Sequence, residues 1–278
     1  MPFRTSREQF DRQAPHYNGQ WNAWNSESLA WLIEHSRCKG SDRWLDAATG
    51  SGFTAVAFAP LVARVIGLDV SAAMLKEAGA RARAAALRNL IFTSAAAEAL
   101  PFRPESFDGV VCRLAGHHFL SVPKFMAEAC RVLRPGGRLL VADTAVPDDA
   151  PEVDAWHNQV EILRDGSHVR SYTLAEWRSF VAGAGFVLDE LQEVSEPEPI
   201  TLGDWLEKAG CRGERAAEVR RRFLQVPPEV VRAFSIAQDA GGDIRFQWFR
   251  IALSARKPAP AEAFSPSPLP ENSAGRPR

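Results

Sequence analysis

Two carboxylates flanking a glycine turn are the residues of this sequence best spaced to hold a ligand. Residues 43–69 read R-W-L-D-A-A-T-G-S-G-F-T-A-V-A-F-A-P-L-V-A-R-V-I-G-L-D. A short apolar run (Trp44, Leu45, Ala47) leads into Thr49-Gly50-Ser51-Gly52. An apolar helical segment follows, then a second apolar run (Val65, Ile66, Leu68) that ends on Asp69. The pattern predicts strand, glycine turn, helix and strand, one βαβ unit with a nucleotide site at its first turn. Glycine suits that turn because a side chain would hold the backbone off a ligand and resist the dihedrals. Asp69, at the tip of the second strand, is placed to accept both hydroxyls of an adenosine ribose.

The spacing Gly50-x-Gly52-x-x-Ala55 also fits the dinucleotide fingerprint. Asp46 argues against that ligand. It stands four residues before Gly50, at the mouth of the turn, where a pyrophosphate would meet a carboxylate instead of the favourable end of a helix. The same carboxylate suits a ligand carrying an ammonium and a sulfonium, and S-adenosylmethionine carries both.

Further motifs follow in order: G-L-D-V-S-A-A-M-L, A-A-A-E-A-L-P-F-R-P-E-S-F-D-G-V-V and R-V-L-R-P-G-G-R-L-L-V-A-D. With D-A-A-T-G-S-G before them, the set resembles a class I S-adenosylmethionine-dependent methyltransferase. Within that superfamily it is similar to the ubiquinone/menaquinone-biosynthesis C-methyltransferases, well over residues 40–145 and loosely outside them. The resemblance implies an α/β, Rossmann-like, doubly wound sheet of seven strands with an antiparallel last strand. It implies an N-terminal helical cap (1–40), a methyltransferase domain (41–256) and a helical lid inserted at about 196–240. It also implies S-adenosyl-L-methionine as cofactor, held by Asp46, Ala48, Thr49, Gly50, Gly52, Asp69, Val70, Met74, Ala96, Ala97 and Arg113. Ala48 stands where the family usually has glycine. Ala96 stands where it usually has an acid or amide for the adenine amino group, so backbone contact alone carries over at Ala96 and Ala97.

Outside the shared core the reading rests on periodicity. Residues 6–37 predict two helices rich in aromatics. The resemblance implies that this cap covers the cofactor cleft, and its A-x-x-Y matches Ala14-Pro15-His16-Tyr17, so Tyr17 is either a plain cap residue or one that closes over cofactor or substrate. Ser71 and Ser121 are placed to N-cap helices with apolar stripes. Met74 belongs to the first stripe and could also line an adenine pocket. His117 and His118 follow the fourth strand (107–113) on a loop that opens at the ligand end of the sheet, and His118 is the preferred contact. Asp143 ends the fifth strand and reads as a cap for the next segment. Residues 186–194 predict the sixth strand, and residues 243–256, alternating and β-rich, the antiparallel seventh. Beyond Lys257 the chain is Pro- and Ser-rich with little to bury, so residues 257–278 read as a disordered tail.

The 278 residues carry a net charge of -1, which offers no general attraction to a phosphate backbone, so nucleic acid is not the expected partner. A small-molecule acceptor is, with no oligomeric state implied. The four cysteines (Cys38, Cys112, Cys130, Cys211) lack C-x-x-C spacing and read as reduced thiols. No apolar run nears the roughly 18 residues of a spanning helix, and no signal pattern opens the chain, so a cytoplasmic location is expected, with no metal.

Methyl transfer is an in-line displacement at an already activated carbon, so the protein aligns nucleophile, methyl and sulfur and excludes water. A base is needed only where the acceptor proton must leave early, as for a phenol or an acidic C–H. His118, His168 and Tyr17 are the candidates for that role, with Arg170 beside His168 as a substrate contact. The tryptophans of cap and lid favour an aromatic or planar, partly apolar acceptor, methylated at carbon or oxygen. A protein that binds the cofactor without transferring methyl, or an NAD(P)-linked oxidoreductase, are the alternatives. With no cationic neighbour in sequence, Asp69 is expected to matter far more to the ligand than to the fold.

Overall fold

The computed structural model describes residues 5–16, 26–196 and 198–259. Its main sheet forms as the βαβ pattern requires. Strand β1 (Arg43–Ala47) lies parallel to β2 (Arg64–Asp69), with Leu45 opposite Ile66 and Ala47 opposite Leu68. Strands β3 (Leu90–Ser94), β4 (Phe107–Arg113) and β5 (Leu133–Val146) continue the parallel part. A two-residue strand β6 (Tyr172–Thr173) pairs with the far end of β5, and β7 (Val187–Glu193) stands at one edge. The final strand, Arg250–Arg256, runs antiparallel to both β5 and β7. The order is β3-β2-β1-β4-β5-final strand-β7. The strand order reverses at β1, so the crevice opens at the C-terminal ends of β1 and β4.

Alternation along the strands sorts the core onto two faces. Leu45, Val110, Leu139, Val141 and Leu253 point to one face and Trp44, Val111, Leu140, Ala142 and Ala252 to the other. Helix α1 (Ser6–Gln13) lies apart from these layers, and α2 (Ser26–Ser36) covers the second face with Trp31 and Leu32. Helix α3 (Phe53–Phe58) follows the glycine turn, and α4 (Ala72–Ala84) follows β2, capped by Ser71, whose hydroxyl accepts from Met74 N. Helix α5 (Val122–Val132) packs on the first face through Phe125, Met126 and Ala129. Helix α6 (Pro151–Arg164) leaves the sheet, and α7 (Leu174–Gly183) returns to it with Trp177 and Val181.

Residues 200–246 build a second core, in which aliphatic side chains surround Trp205, Phe223, Phe234 and Phe246. Strand β8 (Ile200–Thr201), helices α8 (Leu202–Lys208), α9 (Gly213–Leu224) and α10 (Pro228–Phe234), and strands β9 (Ala237–Gln238) and β10 (Ile244–Phe246) form it together with α6. The final strand is therefore β11. This part differs from the single long strand expected over 243–256. Residues 244–246 belong to a separate three-stranded sheet, β8-β10-β9, and only β11 closes the main one. Trp248 lies between the two and is buried in the second core. Lys257, expected to begin the tail, still pairs with Gly137 through its backbone N–H and donates Nζ to Leu133 O at 2.7 Å. Residues 260–278 lie outside the described residues. Among the described residues no helix is long and apolar enough to cross a membrane.

Gly52 shows what the first turn requires. Its φ is +85°, and a Cβ there would stand 2.8 Å from the Cβ of Ala78 in α4. Gly52→Ala is expected to cost about 2 kcal/mol or more in urea unfolding, from left-handed strain and overpacking together. A loss below about 0.5 kcal/mol would show that α3 and α4 do not pack this closely.

Candidate active site

The crevice is a cavity of about 360 Å³ reached by the glycine turn, the ends of β2 and β4, helix α1 and the second core. At the turn, Thr49 N donates to Leu68 O and Gly52 N to Thr49 O, each at 2.8–2.9 Å. Ala48 adopts φ +57°, a left-handed conformation that costs an L residue about 1–2 kcal/mol. Glycine would adopt it without that cost, so the need at position 48 is one of backbone.

Asp69 is buried and its two oxygens are engaged: Oδ2 accepts from Gly50 N and Oδ1 from Ser71 N, both at 2.8 Å. Burial raises its pKa, and those N–H bonds oppose the rise. The sequence expectation sets its part in the ligand far above its part in the fold; these two bonds give it a part in the turns as well. Its partners are backbone groups, which side-chain identity in the sequence does not reveal. Asp46 is more deeply buried still and turns inward, accepting the Thr49 hydroxyl at 2.6 Å instead of lining the cavity. Burial pushes its pKa up to about 7, with the Thr49 bond and Arg113 pulling the other way. Arg113 lines the cavity and donates Nε to Thr54 Oγ1 at 2.9 Å.

Ala48, Thr49, Gly50, Asp69, Val70, Met74, Ala96, Ala97, Arg113 and His118 all border this one cavity. Gly52 does not; it packs against α4. Tyr17 lies outside the described residues. His168 is buried behind the wall, its ring 5.6 Å from that of His117 and its Nε2 paired with Asn158 Oδ1 at 2.9 Å. Burial, then the neighbouring histidines, lower its pKa. Arg170 is spent on ion pairs with Asp154 and Glu176 away from the cavity.

Of the two histidines that line the cavity, His117 is the one hydrogen-bonded to a carboxylate. Its Nδ1 is 2.5 Å from Asp143 Oδ1, and its backbone N–H donates to Asp143 Oδ2 at 2.9 Å. Burial disfavours charge on this ring, but Asp143 overrides it and the pKa is raised. His118, 4.2 Å away ring to ring, is held down to about 4 by burial and by the charge on His117. Its Nδ1 lies 3.1 Å from Ser167 O, a group that only accepts, so the proton is on Nδ1 and Nε2 carries the lone pair. Asp143 thus orients His117 as well as capping Thr144 N. Asp143, expected to end its strand, lies inside it, since β5 runs on to Val146 through its pairing with β11 and β6. A histidine just past one strand and an aspartate in the apolar run of the next was the available signal.

The far end of the cavity was not legible in sequence. It gathers Glu161, Arg164 and Asp165 from the end of α6, Trp205 from α8, Trp248, and Arg250 from β11. Over the near end lies α1, whose Thr5, Ser6, Arg7, Phe10 and Gln13 line the roof.

The methyltransferase domain family matches residues 45–141, the segment that carries the turn, Asp69, Arg113 and His117. Over 86% of this chain and 93% of its own length, an uncharacterised methyltransferase of Bacillus subtilis, YcgJ, is 32% identical. The chain belongs to the class I S-adenosylmethionine-dependent methyltransferase family. The crystal structure of the Bacillus subtilis methyltransferase superposes with a TM-score of 0.79 over 84% of this chain and 99% of that one. An Escherichia coli protein, YafE, is 34% identical over 65% of this chain and 85% of its own length. A demethylmenaquinone methyltransferase of Symbiobacterium thermophilum is 34% identical over 51% of this chain and 59% of its own.

The cavity of this methyltransferase suits the family's cofactor on its own geometry. Gly50 borders it with nothing within 4 Å of where a Cβ would stand. Ser51 contributes a buried hydroxyl without a hydrogen-bond partner among the described residues. Met74 and Ala95–97 make one wall apolar.

Two outcomes follow from the carboxylates. Asp69→Ala should lower apo stability by about 1–3 kcal/mol, because Gly50 N and Ser71 N both lose a charged acceptor; a melting point equal to wild type would contradict this. For Asp46 the folded pKa lies above the unfolded one. Its ionisation therefore costs stability progressively as pH rises from about 4 to about 7, and the cost is constant above. Asp46→Asn, which can still accept from Thr49, should gain on wild type between pH 5 and pH 8 by roughly 2–3 kcal/mol. Denaturant titrations at the two pH values measure the gain, and parallel behaviour would refute it.

Proposed function

We propose that this chain transfers the methyl group of S-adenosylmethionine to an oxygen or acidic carbon of a small, planar, partly apolar molecule. The observation that carries the reading is the continuity of the cavity, which runs from the glycine turn and Asp69 to His117, Trp205 and Trp248 without interruption. In this reading Asp69 accepts the ribose hydroxyls with the lone pairs its backbone bonds leave free. Met74, Val70, Ala96 and Ala97 surround the adenine. Thr49, Gly50, Ser51 and Arg113 border the methionine part. Asp46 acts on the ammonium through its charge from behind Thr49.

The cofactor supplies a methyl group already activated on a sulfonium. The protein's part is alignment, exclusion of water and one proton transfer. His117 takes the acceptor's proton on Nε2, and Asp143 holds the ring by Nδ1 and stabilises the imidazolium that results. His118, neutral with its lone pair on Nε2, orients the acceptor's hydroxyl. Trp205 and Trp248 provide flat apolar surface. The name of the Symbiobacterium thermophilum relative supports a planar acceptor.

A base with a raised pKa gives activity that climbs with pH through that pKa. Asp143→Asn removes the charge that favours the imidazolium, so the acid limb of kcat/KM should move to lower pH. The rate should fall about 10²–10⁴-fold, as should that of His117→Gln. An unshifted limb in Asp143→Asn would remove the pair from the mechanism. The activity itself is tested by S-adenosylhomocysteine formation with a panel of phenols and quinols. Binding of S-adenosylhomocysteine without turnover on any of them would favour a cofactor-binding regulator, and binding of NADH in its place would overturn the reading.

A further inference from the structure

The lid end of the cavity is unusually rich in charge, and each guanidinium there already faces a protein carboxylate. Arg164 donates Nη1 to Glu161 at 3.3 Å and Nε to Trp205 O at 3.0 Å, with its guanidinium 4.5 Å above the Trp205 ring. Arg250 places Nη1 3.0 Å from Glu196, which also accepts from the backbone N–H groups of Glu27 and Ser28 at the start of α2. Both ion pairs are buried. Asp143 faces His117 in the same way. Asp165 adds one more buried carboxylate, whose hydrogen bonds come from the Ser167 backbone and hydroxyl and, at 3.5 Å, from Gln13.

Carboxylate against cation, this end stands at four to three when His117 is protonated and at four to two when it is neutral. An anion entering it meets carboxylates that outnumber the cations, and each guanidinium it approaches already shares its charge with a buried protein carboxylate. An uncharged hydroxyl meets no such repulsion, and unlike an anion it can also donate to a carboxylate oxygen while it accepts from a guanidinium. Selection of this kind works by rejecting the wrong ligand as much as by holding the right one.

We infer that the lid end selects an uncharged, hydroxyl-bearing aromatic acceptor, that it excludes acceptors bearing a carboxylate or phosphate, and that the Glu161–Arg164 pair sets the selection. The inference rests on the assignment of this end to the acceptor and deepens it by naming the charge class. Glu161 is the residue through which the exclusion is tuned: it lines the cavity, and its loss would leave Arg164 able to receive an anion.

The test compares matched ligands that differ in one group: para-hydroxybenzyl alcohol against para-hydroxybenzoate, and the corresponding pair built on naphthol. Each is titrated at pH 8, with S-adenosylhomocysteine saturating, by calorimetry and tryptophan fluorescence. The preceding S-adenosylhomocysteine titration separates the two readings, since its failure would remove the cofactor assignment and not the charge selection. Wild type should bind the alcohol of at least one pair at least tenfold more tightly than its carboxylate. In Glu161→Gln that ratio should collapse or invert. In Arg164→Gln, which leaves Glu161 without its partner, it should widen, and this variant decides if Glu161→Gln does not fold. A carboxylate bound as tightly as its alcohol by wild type would overturn the inference. So would a ratio unchanged in both variants, or no binding of either alcohol at millimolar concentration.

Discussion

Two backbone N–H bonds to the Asp69 carboxylate hold the ends of β1 and β2 together, and the cavity has its shape because they do. Gly50 N belongs to the turn after β1 and Ser71 N to the turn after β2. Both residues lie past the ends of their strands, so the ladder does not satisfy these N–H groups. Left buried and unpaired, each would cost about 1–3 kcal/mol. One carboxylate answers both and fixes the distance between the turns. Gly50 then keeps its bare face to the cavity, and Ser71 is free to cap α4. The carboxylate proposed for the ribose is thus also a structural clamp.

A second constraint joins the two cores. Helix α1 is bonded on one side to the main domain, where Asp11 accepts from Ser71 Oγ at 2.6 Å. On the other side Gln9 donates to Ala209 O and Gln13 to Asp165, at 3.1 and 3.5 Å. These links are polar and lie over the cavity roof, whereas each core is held internally by buried aromatic and aliphatic packing. Polar links of this kind are cheap to open relative to either core, because water can replace their partners. A roof that must admit and release ligands is better tied by such bonds than by apolar burial.

The parts legible in the sequence were those written in local patterns. The glycine turn, the apolar strands on either side of it, the Ser71 and Ser121 caps and the stripe of α5 each occupy one short window with its own period. The small sheet β8-β10-β9 was not legible, because strands of two or three residues are too short to show alternation. The same limit merged residues 244–246 with β11 into one apparent strand. Asp143 reads as a cap in the sequence because capping is a local pattern, as with its bond from Thr144 N, whereas His117 is 26 residues away. Asp46 was placed at the ligand because the turn passes there, but its side chain follows the nearest donor, the Thr49 hydroxyl.

That division has a physical origin in how the two ends of the cavity are made. At the turn, the chemistry is carried by backbone N–H groups, backbone conformation and one strand-tip carboxylate. Side chains there can vary as long as the backbone path is kept. Ala48 shows this directly: it occupies a left-handed position at φ +57° that glycine would hold without strain, yet the Thr49 N to Leu68 O bond beside it is intact at 2.8 Å. Ala96 can border the cavity without a polar side chain for the same reason. At the lid end nearly every contributing group is a side chain, and Glu161, Trp205 and Arg250 come from three elements far apart in the sequence. No period or turn records their meeting; it exists only once the second core has folded around Trp205 and Trp248. A family pattern therefore reaches the half of the cavity built from main chain and does not reach the half built from distant side chains.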